Sequence, residues 1–203
     1  MVAVTKGFGV EAVRAAVGAG LADVGENYAA ELEAKAGLLG GDGVMDVTGT
    51  GVCWHFLGAV QRNKVAALAS LVGLWQSVAR EAEGARIARF RPGASVLVQV
   101  DTTGLSGRNG CPPSEVADLV GRLRDDGLDV RGLMTVAAPG HEAALAAFGS
   151  VARLADELGL EERSMGMSDD LEAAVAAGTT MVRIGRALFG DRPGAAGGGR
   201  VPA

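Results

Sequence analysis

Cysteine is nearly absent from this 203-residue chain. The two present, Cys53 and Cys111, stand far apart and in no metal-ligand spacing, so neither a disulfide framework nor a zinc site follows from them. Aromatic residues make up only 4% of the chain, with Tyr28 the single tyrosine, so a core has to be assembled from Ala, Val, Leu and Ile. Basic residues are outnumbered, 19 Lys and Arg against 24 Asp and Glu. The resulting charge of −5 offers no field to a nucleic acid backbone or an anionic membrane. No run of eighteen uncharged apolar residues occurs, and the opening MVAVTKG has no charged stretch leading into a long apolar one. These absences leave a soluble, cytoplasmic protein with a small-molecule partner as the expectation.

What is present is an alternation. Short β-branched runs at Val2 to Thr5, Ala22 to Gly25, Trp54 to Leu57, Leu74 to Val78, Val96 to Asp101, Val130 to Val136, Arg163 to Met167 and Met181 to Ile184 read as strands. Between them lie Ala-rich amphipathic stretches: Val10 to Ala19, Ala29 to Leu39, Lys64 to Leu71, Pro113 to Asp126, His141 to Leu158 and Asp169 to Ala177. Eight βα steps in one domain predict an α/β fold, a single (β/α)8 TIM-type barrel over residues 1–191. Residues 192–203, RPGAAGGGRVPA, are expected to be a flexible tail, and the Gly- and Asp-rich segment Gly40 to Gly51 a mobile loop. Little helical sequence follows the eighth strand. The flank between the last and first strands is therefore expected to lack a cover.

Chemistry-bearing residues fall at strand ends. Lys6, in AVTKG, stands where the first strand stops, the end of a barrel strand at which sites are built. Partial desolvation there frees a lysine amine to attack an aldehyde, although position alone favours a solvent-facing lysine. SMGMSDD (164–170) and MVRIGRALFG (181–190) end the seventh and eighth strands in small residues and open helices. Together they could cradle a phosphate dianion, or their glycines could simply supply turns and Ser168 a helix cap. Arg183 sits inside an apolar strand and needs a partner, for which Glu26 or Asp101 would serve. GENY (25–28) places Asn27 where it could bond a ligand's ring substituent. His55, in WHFLG, reads as a satisfied core residue with no catalytic role. No catalytic or metal-ligating set is assigned.

With AVTK, GENY, WHFLGAVQRNK, SVLVQVD, SGRNG, GLMTVAAP and SMGMSDDLEAAVAAGTTMVRIGRALFG taken together, the chain resembles the pyridoxal phosphate homeostasis proteins, stand-alone relatives of the alanine racemase N-terminal barrel. The resemblance implies pyridoxal 5'-phosphate (PLP) held as a Schiff base on Lys6, with Asn27 near its ring. It places the phosphate at Ser168, Gly185 and Arg186, and Arg183 opposite the pyridine nitrogen. It further implies a non-enzymatic role in PLP (vitamin B6) and amino acid homeostasis, with PLP-dependent apoenzymes as recipients, in a monomer or weak homodimer. An amino acid racemase is the alternative, and a barrel that has lost its cofactor a third reading. The family's helix before the first strand has no counterpart here, and Ala79 stands where the family carries an acid after the fourth strand.

Overall fold

The computed structural model describes residues 1–39 and 51–192. The expected mobile loop, apart from Gly51, and the expected tail beyond Arg192 lie outside them. The β-branched runs form β1 (Val2–Val4), β2 (Asp23–Glu26), β3 (Cys53–Phe56), β4 (Val72–Val78), β5 (Ser95–Val100), β6 (Asp129–Thr135), β7 (Glu162–Ser164) and β8 (Arg183–Ile184). They make one sheet in the order β7-β6-β5-β4-β3-β2-β1-β8, every pairing parallel. Its ends meet. Met165 N–H donates to Met181 O at 3.1 Å and Arg183 N–H to Gly166 O at 3.0 Å, which closes the sheet into a nearly complete (β/α)8 TIM-type barrel.

Each strand is followed by a helix: α1 (Val10–Gly18), α2 (Ala29–Leu38), α3 (Val65–Leu68), α4 (Glu81–Phe90), α5 (Val116–Asp125, after a 3-10 turn Pro113–Glu115), α6 (His141–Glu157), α7 (Leu171–Ala176) and α8 (Arg186–Phe189). In α5 the spacing of Val116, Leu119, Val120 and Leu123 puts all four on one face, and all are buried. That helix ends at Gly127 with φ 80°, where Gly127 N–H donates to Arg124 O and Leu128 N–H to Leu123 O. Only glycine adopts this left-handed cap without strain. Among the described residues no helix is long and apolar enough to cross a membrane.

Strand alternation sorts the side chains into two layers. Trp54, Phe56, Trp75 and Val98 face outward into the main core beneath the helices. Inside the barrel, Leu74, Leu97 and Met134 form a smaller apolar cluster, and buried His55, Gln76, Ser164 and Arg183 are linked by hydrogen bonds.

Three expectations are revised. β7 stops at Ser164 rather than Met167 because Gly166, at φ 98°, leaves the extended region. α7 starts at Leu171 rather than Asp169, after a turn in which Asp170 Oδ1 accepts Met167 N–H at 2.6 Å. The flank between β8 and β1 is not left open: Val2 and Ala3 are 0% exposed and Ile184 5%, with the rings of Phe8 and Phe189 packed 5.5 Å apart beside them. β8 bonds directly to β1, so no open strand edge remains between them.

β6 and β7 approach so closely that a Cβ at Gly132 would lie 2.0 Å from Glu162 O. Gly132→Ala is expected to destabilise the protein by about 1–3 kcal/mol, since backbone rather than a mobile side chain must give way. A lower urea midpoint at unchanged slope checks this, and an unchanged midpoint would show that the two strands can part at no cost.

Candidate functional site

At the C-terminal mouth of the barrel a cavity of about 210 Å³ is lined by Lys6, Asn27, Ser168, Arg183, Gly185 and Arg186, together with Asp169, Arg192 and the apolar Leu57, Met134, Val136 and Met167. All six residues singled out in the sequence converge there, from β1, β2, the loop after β7, β8 and the start of α8.

Lys6 follows β1, and its neighbours are clamped while its own amine is free. Thr5 Oγ1 donates to Glu26 Oε1 at 2.6 Å, Lys35 Nζ donates to Thr5 O at 2.8 Å, and Gly7 N–H donates to Glu31 Oε2 at 2.8 Å. Lys6 Nζ has no hydrogen bond among the described residues. Burial, then the positive charges of Arg192 and Arg183, hold its ammonium below the usual lysine range, with Glu26 acting the other way. Arg192, assigned from sequence to the tail, instead lays its side chain over Gly7, where a Cβ would meet its Cδ at 2.9 Å.

The clamp rests on a buried ion pair. Lys35 Nζ lies 2.5 Å from Glu26 Oε1 and 3.2 Å from Glu31 Oε2, and Glu26 is fully buried. Burial pushes the Glu26 carboxyl up against the hydrogen bonds from Lys35 and Thr5. For Glu31 burial is overcome by the bonds from Gly7 N–H and Lys35, which hold its carboxyl below the ordinary range. Sequence reading missed Lys35 and Glu31. Their i, i+4 spacing in α2 was visible, but that spacing usually marks a solvated helix face.

Arg183 is buried, and its partners are neither Glu26 nor Asp101. Its Nη1 donates to Ser164 O at 2.7 Å and Ser164 Oγ at 2.8 Å, and its Nη2 donates to Thr135 O at 2.8 Å. Carbonyl oxygens at the ends of β6 and β7 satisfy the guanidinium in place of a carboxylate. Burial lowers its pKa to about 10, which leaves it charged at neutral pH. Asn27 Oδ1 is buried without a partner among the described residues. Ser168 Oγ accepts the Ala187 N–H at 3.3 Å, and Arg186 pairs with Asp169, so the loop after β7 and the start of α8 form one rim.

The family model described as alanine racemase, N-terminal domain, matches residues 1–193. Proteins named pyridoxal phosphate homeostasis protein are similar along most of the chain. That of Deinococcus radiodurans is 39% identical over 93% of this chain and 88% of its own, and that of Pseudomonas aeruginosa 38% over 95% and 84%. Among solved structures, PipY of Synechococcus elongatus without PLP superposes with TM-score 0.82 at 31% identity, covering 93% of this chain and 91% of its own. The same protein with PLP bound superposes with TM-score 0.78, covering 94% and 92%.

Two outcomes follow from this geometry. Arg192→Ala removes a positive neighbour and is expected to raise the pKa of Lys6, read as an upward shift in the pH midpoint of Lys6 acetylation by acetic anhydride; an unmoved midpoint would leave burial and Arg183 as the causes. Lys35→Met leaves Glu26 buried and unpaired and is expected to cost about 3–5 kcal/mol in denaturant unfolding, part of it recovered by adding Glu26→Gln.

Proposed function

We propose that this chain, which belongs to the alanine racemase N-terminal domain family and within it to the pyridoxal phosphate homeostasis proteins, binds PLP as a Schiff base on Lys6 and holds and releases it rather than turning over a substrate. The observation that carries the reading is one cavity that joins a free, partly desolvated amine to anion-binding and ring-binding groups. The buried amide oxygen of Asn27, without a partner among the described residues, supports it, because such an orphan is costly unless a ligand completes it. The PLP-bound relative supports the choice of cofactor.

When bound, PLP supplies an aldehyde that captures amines and a ring that withdraws electrons. Lys6 would be the residue that holds the aldehyde carbon, through its amine and with one water lost. Gly185 and Arg186 bring first-turn N–H groups of α8, and Ser168 a hydroxyl, to the phosphate. The Asn27 amide meets a ring substituent. Arg183 can donate but not accept a proton, so it opposes protonation of a ring nitrogen beside it and weakens carbanion chemistry.

Acid–base work on both faces of a bound amino acid needs a group on each face, and Lys6 supplies one. Tyr28 is 59% exposed and lines a separate depression beside Phe56 and Trp75, while Asp169 is tied to Arg186. This favours storage over turnover, in the cytoplasm, with vitamin B6 and amino acid pools as the quantities affected and PLP-dependent apoenzymes as recipients.

Incubation with PLP, reduction with borohydride and peptide mass spectrometry is expected to find the pyridoxyl group on Lys6 and none in Lys6→Ala. Label elsewhere, or label retained in that variant, would sink the reading. Catalytic exchange of the Cα proton of an amino acid with deuterated water, lost in Lys6→Ala, would replace the storage role by a racemase.

A further inference from the structure

We propose a binding site for a zinc-class divalent cation at the opposite, N-terminal mouth of the barrel, formed by Asp23, Cys53 and His55. The sequence offered no reason to look there, because Cys53 and Cys111 are not spaced as ligands to one ion. The third dimension supplies the missing partner. Cys53 and His55 are two apart on β3 and share its inner face, and β2 pairs with β3 so that Asp23 lies directly beside Cys53.

The three donor atoms lie within 4.8 Å of one another. His55 Nε2 is 3.1 Å from Asp23 Oδ1 and 3.5 Å from Cys53 Sγ. A tetrahedral zinc ion with its usual bond lengths sets its sulfur and nitrogen ligands about 3.5 Å apart and its oxygen and nitrogen ligands about 3.4 Å apart. The site is therefore shaped close to a zinc ligand set, with a fourth position for water. Thiolate, imidazole and carboxylate together select zinc over the oxygen-seeking calcium and magnesium. His55 is 3% exposed and rigidly placed, while the side chain of Asp23 is 46% exposed and leaves a path from solvent. Gly73 makes room for the thiol, since a Cβ there would fall 2.7 Å from Cys53 Sγ.

A ligating histidine normally donates from its second nitrogen to an oxygen, which Gln76 supplies here once its amide turns over. Gln76 Nε2 lies 2.6 Å from His55 Nδ1, and Gln76 Oε1 accepts the Ser164 hydroxyl at 2.6 Å. Ion binding moves the imidazole proton from Nε2 to Nδ1, and a half-turn of the Gln76 amide then presents Oε1 to it and Nε2 to Ser164 Oγ. Cys53 releases its thiol proton to solvent. The ion's two charges are balanced by the thiolate and the Asp23 carboxylate. Of the nearby positive groups, Arg131 is paired with Glu162, and Arg91 is bonded to Val72 O and Ala69 O.

Titration of the reduced, chelator-treated chain with Co²⁺ is the test. One equivalent is expected to give tetrahedral visible bands and a thiolate-to-cobalt charge-transfer band, both abolished by added Zn²⁺. Cys53→Ser is expected to lose the charge-transfer band and Cys111→Ser to keep it. Asp23→Asn is expected to weaken binding by more than the roughly 10- to 100-fold that loss of an outer-shell partner costs. An octahedral spectrum with no thiolate band, or a band that survives Cys53→Ser, overturns the proposal. Should Cys53→Ser not fold, alkylation of the unaltered chain decides: Zn²⁺ must protect Cys53 from iodoacetamide, and equal labelling with and without it refutes the site. Lys6→Ala is expected to bind Co²⁺ unchanged, so this result stands apart from the cofactor reading.

Discussion

A single buried guanidinium ties together the last strands of this barrel. β8 is only two residues long, too short for its ladder alone to hold it against its neighbours. Arg183 makes up the deficit by reaching past β7 to β6, donating to Ser164 O, Ser164 Oγ and Thr135 O. Taking a charged side chain out of water is expensive unless each donor finds an acceptor. The carbonyls at the strand ends provide these, so the arginine can be both a strut and a positive surface facing the cavity. Closure of the sheet and polarity of the site are thus one construction, and a shorter or neutral residue at 183 would disturb both.

The opposite wall is built on a different principle. Around Lys6 the backbone is held from below by Glu26, Glu31 and Lys35, which grip Thr5 and Gly7 and leave the intervening side chain free. Rigidity of the main chain is combined with availability of the amine. Arg192 and Arg183 add like charge, and burial removes solvation, so three influences favour the neutral form of the amine. The carboxylates that could have cancelled this are occupied by Lys35, the Thr5 hydroxyl and the Gly7 N–H.

Much of this was legible in the chain because it is local. Strand and helix periodicity follow from side-chain alternation, so all eight strands stand close to where Val-rich runs placed them, although β4 starts earlier, at Val72, β8 starts later, at Arg183, and α3 stops short, at Leu68; Gly166 ends β7 early, and the turn on the Asp170 carboxylate delays α7. Lys6, Asn27, Ser168, Arg183 and Gly185 could be picked out because strand ends at one mouth of a barrel share a position whatever their order, whereas Arg186 came from the family resemblance alone. Contacts set by registration between strands or by side-chain reach were not legible. Lys35 looks like a surface residue until α2 docks and buries it, and Arg183 was paired in anticipation with carboxylates when carbonyls were nearer. Asp23 and Cys53 acquire a relationship only through the β2–β3 register.

The pairing of β8 with β1 has a consequence in time. Lys6 belongs to the first strand and Arg183, Gly185 and Arg186 to the last strand and the turn after it, so nearly the whole barrel lies between the two halves of the cavity. A ribosome delivers the lysine first and the remaining groups last. Until the eighth strand emerges, the nascent chain carries the lysine without the groups that would surround a ligand, and the pairing that unites them is the most non-local among the described strands. Competence to hold a ligand there thus requires the eighth strand to have reached the first.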